Sequence, residues 1–171
     1  MIRNLSEYPD RQAALEAIAA IFFASTARTS FDSEDARQRF LETWTGYYTS
    51  HQPEDVLLWT GEDGAIGGYL TGCRDSAAAK ELFGQIPGYD LFADLFPTFP
   101  AHLHVNCAAE RRGGGIGSAL VEAFAARCRL GLHIVTGPKA RNVAFYQRLG
   151  FAHRVERPFR GFPLLFMGRR L

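Results

Sequence analysis

Between Glu110 and Leu120 the chain reads Glu-Arg-Arg-Gly-Gly-Gly-Ile-Gly-Ser-Ala-Leu, with four glycines in five positions. The alternating apolar run Ala101 to Cys107 before it has the pattern of a strand, and Ile116, Leu120, Ala123 and Phe124 after it share one helical face. The glycines therefore sit at a strand-to-helix junction. Glycine lets the backbone take positive φ and removes the Cβ atoms that would hold a ligand off the main chain. The first N–H groups of a helix have no intrahelical partner and lie at the positive end of its dipole. Such a junction suits a pyrophosphate.

The spacing separates the kinds of phosphate loop. A P-loop needs Lys-Ser/Thr after its last glycine, whereas Gly117 is followed by Ser118 and Ala119. A dinucleotide fold needs an acid about 20 positions on, at the end of a second strand. The candidate strand Leu132–Val135 runs into Thr136-Gly137-Pro138 without one, and too little chain remains for a whole domain of that type. What remains is Arg112-x-x-Gly115-x-Gly117. About 30 residues on, positions 140–151 read Ala-Arg-Asn-Val-Ala-Phe-Tyr-Gln-Arg-Leu-Gly-Phe.

The two motifs, in this order with a strand between them, resemble the GNAT acetyltransferase superfamily over roughly residues 54–171. The resemblance implies a single α/β domain with one mixed sheet, the acyl-CoA N-acyltransferase fold, and acetyl-CoA as cofactor. It implies cofactor contacts at Val105, Cys107, Arg112, Gly113, Gly115, Ile116, Gly117, Ser118, Asn142 and Tyr146. In this superfamily the strand holding Cys107 and the strand 132–135 splay apart, with pantetheine in the gap. Pro100-Ala-His-Leu-His-Val resembles a narrower, acetyltransferase-like branch related to O-GlcNAc hydrolases. That branch often has Asp where this chain has Asn106, so any role of that Asp does not carry over.

Acetyl transfer to an amine also needs a polarised carbonyl, a stabilised thiolate and a proton acceptor. A backbone N–H near Cys107 can serve the oxyanion. Tyr146 occupies the superfamily's general-acid position. A thiol near ~8.5 and a phenol near ~10 make full proton transfer uphill by about 2 kcal/mol, so Tyr146 acts chiefly as a hydrogen-bond donor. Its structural alternative is an aromatic packed beside Phe145. His102 and His104 alternate along the strand and share a face. They are candidate bases near neutral pH or, alternatively, a hydrogen-bonded, half-buried pair. Glu110 matches an exposed position, and Asp75 is a weaker candidate base. His51, His133 and His153 lack metal-ligand spacing and read as structural.

Composition bounds these readings. The chain has 171 residues, 47% hydrophobic and 22% charged, which suits one globular domain. No apolar run is long enough for a membrane span, and Met1–Leu5 lacks a signal-peptide layout. Cys73, Cys107 and Cys128 are scattered, which argues against a disulfide framework or zinc site and suits a reducing cytoplasm. The net charge of +1 gives no reason to expect nucleic acid. Between Glu110 and Arg148, however, seven basic residues face two acidic ones. That excess suits a polyphosphate ligand, or is simply solvated helix surface.

The elements that must position these groups follow from periodicity and punctuation. Met1–Leu5 is a short strand or tail. Asp10 caps a helix to about Ala24, with Leu15, Ile18, Ala19 and Phe22 inward; Asp32 or Ser33 caps another through Tyr48, with Phe40, Leu41 and Trp44 inward. Strands at 56–60 and 65–73 form a hairpin, the second weakened by Gly67 and Gly68. Residues 74–100 read as an insertion, with a helix over Ser76–Phe83 and aromatics that need cover from the acceptor side or from a second copy in a homodimer. After the strand 101–107 come a helix to Cys128, the strand 132–135, a helix over 140–149 with Gly150 at C′, and a hairpin whose strands are joined by a 158–163 loop. Three functions stand open: an acetyl-CoA-dependent N-acetyltransferase acting on a small-molecule or protein amine, an acyl-CoA-binding module without turnover, and, disfavoured by the missing acid, a nucleotide-binding oxidoreductase.

Overall fold

The computed structural model describes residues Met1–Leu171. In chain order its elements are β1 (Ile2–Asn4), α1 (Arg11–Ser25), α2 (Glu34–Leu41), α3 (Tyr47–His51), β2 (Val56–Thr60), β3 (Ile66–Cys73), α4 (Lys80–Gln85), β4 (Ala101–Cys107), α5 (Ile116–Ala125), β5 (Gly131–Thr136), α6 (Val143–Arg148), β6 (His153–Phe159) and β7 (Phe162–Arg170). The strands form one seven-stranded sheet in the order β1-β2-β3-β4-β5-β7-β6. β4 and β5 are parallel, with Ala101↔Leu132 and His102↔His133 in register; β1–β2, β2–β3, β5–β7 and β6–β7 are antiparallel. This is the mixed-sheet α/β fold the motifs implied. Contacts group the chain into two units: Met1–Gly72 with His104–Phe124, and Cys73–Leu103 with Ala125–Leu171.

In the first unit, the Asp10 carboxylate caps α1 by accepting from the Ala13 N–H at 3.0 Å. The buried face of α1 is Ala14, Ile18, Ile21 and Phe22, turned from the expected one; Leu15 and Ala19 are only half-buried. The helix is apolar nearly all round, so periodicity alone does not set its phase. Ser33 caps α2, its hydroxyl accepting from Ala36 N–H at 3.1 Å. The single helix expected to Tyr48 is instead α2, a π-helical turn over Glu42–Gly46, and α3. The Thr43 and Thr45 hydroxyls each donate to the carbonyl four residues back, at 2.8 Å, which competes with regular helical bonding there. Thr45, Tyr48 and Thr49 are buried, while Phe40, Leu41 and Trp44 are half-buried.

The β3 glycines are packing slots. A Cβ at Gly68 would lie 2.9 Å from Ile116 Cγ2 and 3.2 Å from Cys107 Sγ, and one at Gly72 would lie 2.3 Å from the Phe124 ring. They let α5 approach the strand closely, a gain in packing set against their low strand propensity.

In the second unit, the Asp75 carboxylate accepts from both Ala77 and Ala78 N–H at 3.1 Å. This local turn delays the helix expected at Ser76, and α4 begins at Lys80. Phe92, Phe96 and Phe99 find cover within the chain, so these three do not require an acceptor or a second copy to supply it, while Phe83 is exposed. Phe92 and Phe99 pack on Phe166 with centroids 5.4 and 5.6 Å apart, and Phe96 stacks on His133 at 5.2 Å. All three phenylalanines are buried. A Cβ at Gly168 or Gly131 would come within 3 Å of Phe99, so both glycines make its slot. Arg157 clamps the segment with two bonds to the Asp94 carboxylate, at 2.6 and 2.8 Å, and a third to the Leu91 carbonyl.

The expected 158–163 loop is mostly strand. Pro158 pairs with Pro163 and Phe159 with Phe162. Only Arg160 and Gly161 turn, both at positive φ (47° and 84°), as a two-residue I′ hairpin requires. The helix expected over 140–149 is shorter, at Val143–Arg148, with Gly150 at φ 82° beyond it; α5 likewise stops at Ala125, before Cys128.

Candidate active site

The first unit carries the glycine loop with the end of β4. Ala108 N–H donates to the Gly67 carbonyl, which ties the strand end to β3. A 3-10 turn over Ala109–Arg111 then leads into the glycines. Gly113 and Gly115 have φ of 83° and 79°, and an added Cβ at either would meet nothing within 4 Å. Two positions that demand glycine for conformation thus face open space, a cradle a ligand can enter. The Gly115 carbonyl accepts from Ala119 N–H at 2.9 Å, so Gly115 stands at the N-cap of α5. The N–H groups of Ile116, Gly117 and Ser118 follow in the helix's first turn.

Arg112 is exposed and folds back over the strand end: Nε donates to the Cys107 carbonyl at 3.1 Å and Nη2 to Ser25 Oγ at 3.3 Å. Arg111 is ion-paired with Asp63 in the β2–β3 turn. Burial pushes the Cys107 thiol up, against the opposing pull of the Arg112 charge and the Gly117 N–H. Cys107 is accordingly a half-buried neutral thiol near pH 7. Val105 is half-buried on the same strand, Ile116 is buried and Ser118 half-buried.

His104 packs edge-on against Trp44 and Tyr48, with ring centroids 6.3 and 6.1 Å away. Burial drives its imidazole down to about 4, so it is neutral at pH 7. Two residues on, along the same strand face, Asn106 Nδ2 donates to the Tyr69 phenol at 2.9 Å. Tyr69 is fully buried, and that burial raises its phenol well above the ordinary value. The Asn106–Tyr69 pair escaped the sequence reading. Its one signal was that Asn106 continues the alternation of His102 and His104.

The second unit holds His102, Asn142 and Tyr146. His102 is 4% exposed, with Nδ1 2.7 Å from Ser76 Oγ. Ser76 gives its hydroxyl hydrogen to the Pro100 carbonyl and Tyr89 gives its own to the Ser76 carbonyl. Nδ1 of His102 is therefore the donor to Ser76. Asn142 is exposed at the start of α6, where Oδ1 accepts from Thr136 Oγ1 at 3.0 Å and makes no cap bond. Tyr146 is 4% exposed, its ring between Phe145 and Phe151 with centroids 5.0 and 5.2 Å away. His133 is stacked between Phe96 and Phe166, and His153 lies on Phe99. Asp75 is engaged in its turn and Glu110 is exposed. No group of three or more His, Cys, Asp or Glu residues is placed to hold a metal ion. No helix is long and apolar enough to cross a membrane.

Comparison with known proteins bears on this arrangement. The family profile described as acetyltransferase (GNAT) domain matches residues 57–153. None of the curated proteins matches the chain. Among solved structures, SsHAT is 22% identical with a TM-score of 0.71, covering 99% of this chain and 97% of its own. A GNAT superfamily phosphinothricin acetyltransferase from Sinorhizobium meliloti, in complex with AcCoA, is 20% identical with a TM-score of 0.58, covering 100% and 88%. A ribosomal-protein-alanine N-acetyltransferase from Brucella melitensis is 23% identical with a TM-score of 0.58, covering 100% and 99%.

Proposed function

The chain belongs to the GNAT acetyltransferase family, and from that premise we propose that it moves the acetyl group of acetyl-CoA to a primary amine. None of the relatives above supports the narrower resemblance to the branch related to O-GlcNAc hydrolases, so membership stands at the level of the GNAT domain. That residues 1–171 act as one catalytic domain is part of the same proposal. So is a cytoplasmic setting, which three cysteines with no disulfide among them suit.

One observation carries the proposal: Gly113 and Gly115 hold positive φ with open space where their side chains would be, at the N-terminus of a ten-residue helix. Backbone N–H groups of Gly113 to Ser118 bind the pyrophosphate, with the Arg112 charge beside them. Main-chain N–H groups of Val105 and Cys107 hold the thioester end and face the oxygen that becomes negative. Asn142 binds an amide or phosphate of the cofactor. Tyr146 donates its hydroxyl hydrogen to the departing thiolate. In the balanced reaction the amine nitrogen bonds to the acetyl carbon, the C–S bond breaks, the nitrogen loses a proton and the sulfur gains one.

Of the two β4 histidines, His104 is assigned as the proton acceptor, and His102, committed to Ser76, positions the strand. An imidazole near 4 is a weak base toward an ammonium near 10. His104 therefore completes a transfer from an amine that is already largely neutral.

An acetyl-CoA titration with a thiol-release screen over amines tests the proposal. Binding with turnover of at least one amine is the expected result. Binding without turnover on any amine leaves the acyl-CoA-binding module in its place, and no binding removes both.

A further inference from the structure

A cavity of about 190 Å³ in the first unit is lined by Phe22, Ser25, Thr26, Phe40, Trp44 and Asn106. Its wall is aromatic: Phe22 and Phe40 have centroids 5.5 Å apart, and Phe40 and Trp44 6.4 Å. Trp44 sits on the π-helical turn. The polar side-chain groups are two hydroxyls, one amide and the Trp44 indole N–H, and none of the six side chains ionises.

The amide and the two hydroxyls have defined orientations. Asn106 commits Nδ2 to Tyr69, so the acceptor it offers the cavity is Oδ1. Ser25 Oγ already accepts from Arg112, and Thr26 Oγ1 from the Arg28 N–H at 3.3 Å. The cavity also adjoins the cofactor loop, because Arg112 bonds at once to Ser25 and to the carbonyl of Cys107, the residue after Asn106.

Size and electrostatics then select the occupant. An apolar cavity of about 150 Å³ holds one benzene, and pockets for drug-sized molecules run to about 300–1,000 Å³. This one takes a single ring or an alkyl body of that bulk. Aromatic faces attract an ammonium during entry. With no carboxylate to pair it, burial then favours the neutral amine, the form that attacks a carbonyl. The neutral His104, edge-on to Trp44, suits such an amine. A second ammonium on the ligand has no partner among the lining side chains, and the Arg112 guanidinium that could meet a carboxylate is already bonded to Ser25 and to the Cys107 carbonyl.

We propose that this cavity is the acceptor site of the acetyltransferase and selects a primary amine on a compact, single-ring apolar body, with Asn106 Oδ1 accepting the amine N–H. The inference rests on the function proposed above. It goes further by choosing against amino acids, polyamines and peptide lysines.

Benzylamine is the probe, with the full chain and acetyl-CoA. Glutamate, spermidine and Nα-acetyl-lysine amide are the comparison acceptors. Calorimetry measures binding and thiol release measures turnover. Benzylamine is expected to exceed each comparison amine in kcat/KM by at least tenfold. Thr26→Phe, which fills the cavity, should weaken benzylamine binding at least tenfold at an unchanged melting temperature; Thr26→Leu replaces it if melting falls. Benzylamine binding tighter than that of each comparison amine, with no thiol release from any of them, upholds the cavity's selectivity and overturns acetyl transfer. Turnover of a comparison amine in preference to benzylamine overturns the selectivity and upholds acetyl transfer. Benzylamine binding that is indifferent to the filled cavity overturns the site.

Discussion

Asp63, in the turn between β2 and β3, is ion-paired with Arg111, the residue immediately before Arg112 of the glycine loop. Local and long-range structure meet in this pair: a hairpin turn anchors the base of the loop across 48 positions of sequence. The Ala65 N–H and the Arg111 guanidinium hold the Asp63 carboxyl below the usual carboxylate range.

Asp63→Asn should weaken acetyl-CoA binding by roughly two- to fivefold, the scale of an exposed ion pair, with little change in melting. Because the folded carboxyl titrates below its unfolded value, the anchor is present above the unfolded value and is lost as pH falls through the folded one. Calorimetry at low and high salt checks this. An affinity identical to the parent's at low salt would show that the turn does not hold the loop.

Gly115→Val should abolish acetyl-CoA binding. A β-branched residue at φ 79° is strained, and its side chain would occupy the open space above the loop. Destabilisation of about 1–2 kcal/mol is expected from the backbone alone. Titration of folded variant decides the matter: unchanged affinity with unchanged melting would remove the pyrophosphate-loop assignment.

Tyr146→Phe keeps the ring between Phe145 and Phe151, so packing should survive. If the hydroxyl serves the leaving thiolate, kcat falls by roughly 10²-fold while acetyl-CoA affinity changes little. A raised KM at constant kcat would mean cofactor binding only, and unchanged kinetics would leave a packed aromatic. The measurement belongs at high pH with saturating acceptor, where amine deprotonation is not limiting.

His104 makes a prediction about pH and stability. Its imidazole titrates near 4 in the fold and near 6.5 unfolded, so the unfolded chain binds the proton first. Its contribution is fully present above about 6.5, declines as pH falls, and is gone below about 4. The loss is at most about 3 kcal/mol, and less to the extent that water reaches the half-buried ring. Urea melts between pH 7 and 4 should show the decline, and His104→Gln should flatten it. An equal slope in the variant would place the pH dependence elsewhere.

Element order and the two motifs were legible because they rest on neighbours in the chain. The Asp10 and Ser33 caps, the glycine junction after β4 and Gly150 beyond α6 each depend on φ/ψ preferences and hydrogen bonds within a few residues. What failed depended on partners far away in sequence. The α1 stripe turned because almost every face of that helix is apolar, and only packing sets its phase. The aromatics of 74–100 looked unpartnered because Phe166 and His133, which cover them, lie beyond residue 130. Gly68 looked like a weak strand position until Ile116 occupied the space above it.

The same division runs through the candidate site. By itself the sequence determined that a glycine-rich loop follows a strand, and which superfamily pattern its residues match. These are properties of backbone conformation and residue spacing. Only the tertiary structure decided that Asn106 is oriented by a buried Tyr69, that Trp44 and two phenylalanines wall a cavity beside Arg112, and that burial leaves His104 neutral. Burial, ring packing and desolvation depend on which distant atoms exclude water, and no spacing along the chain encodes that.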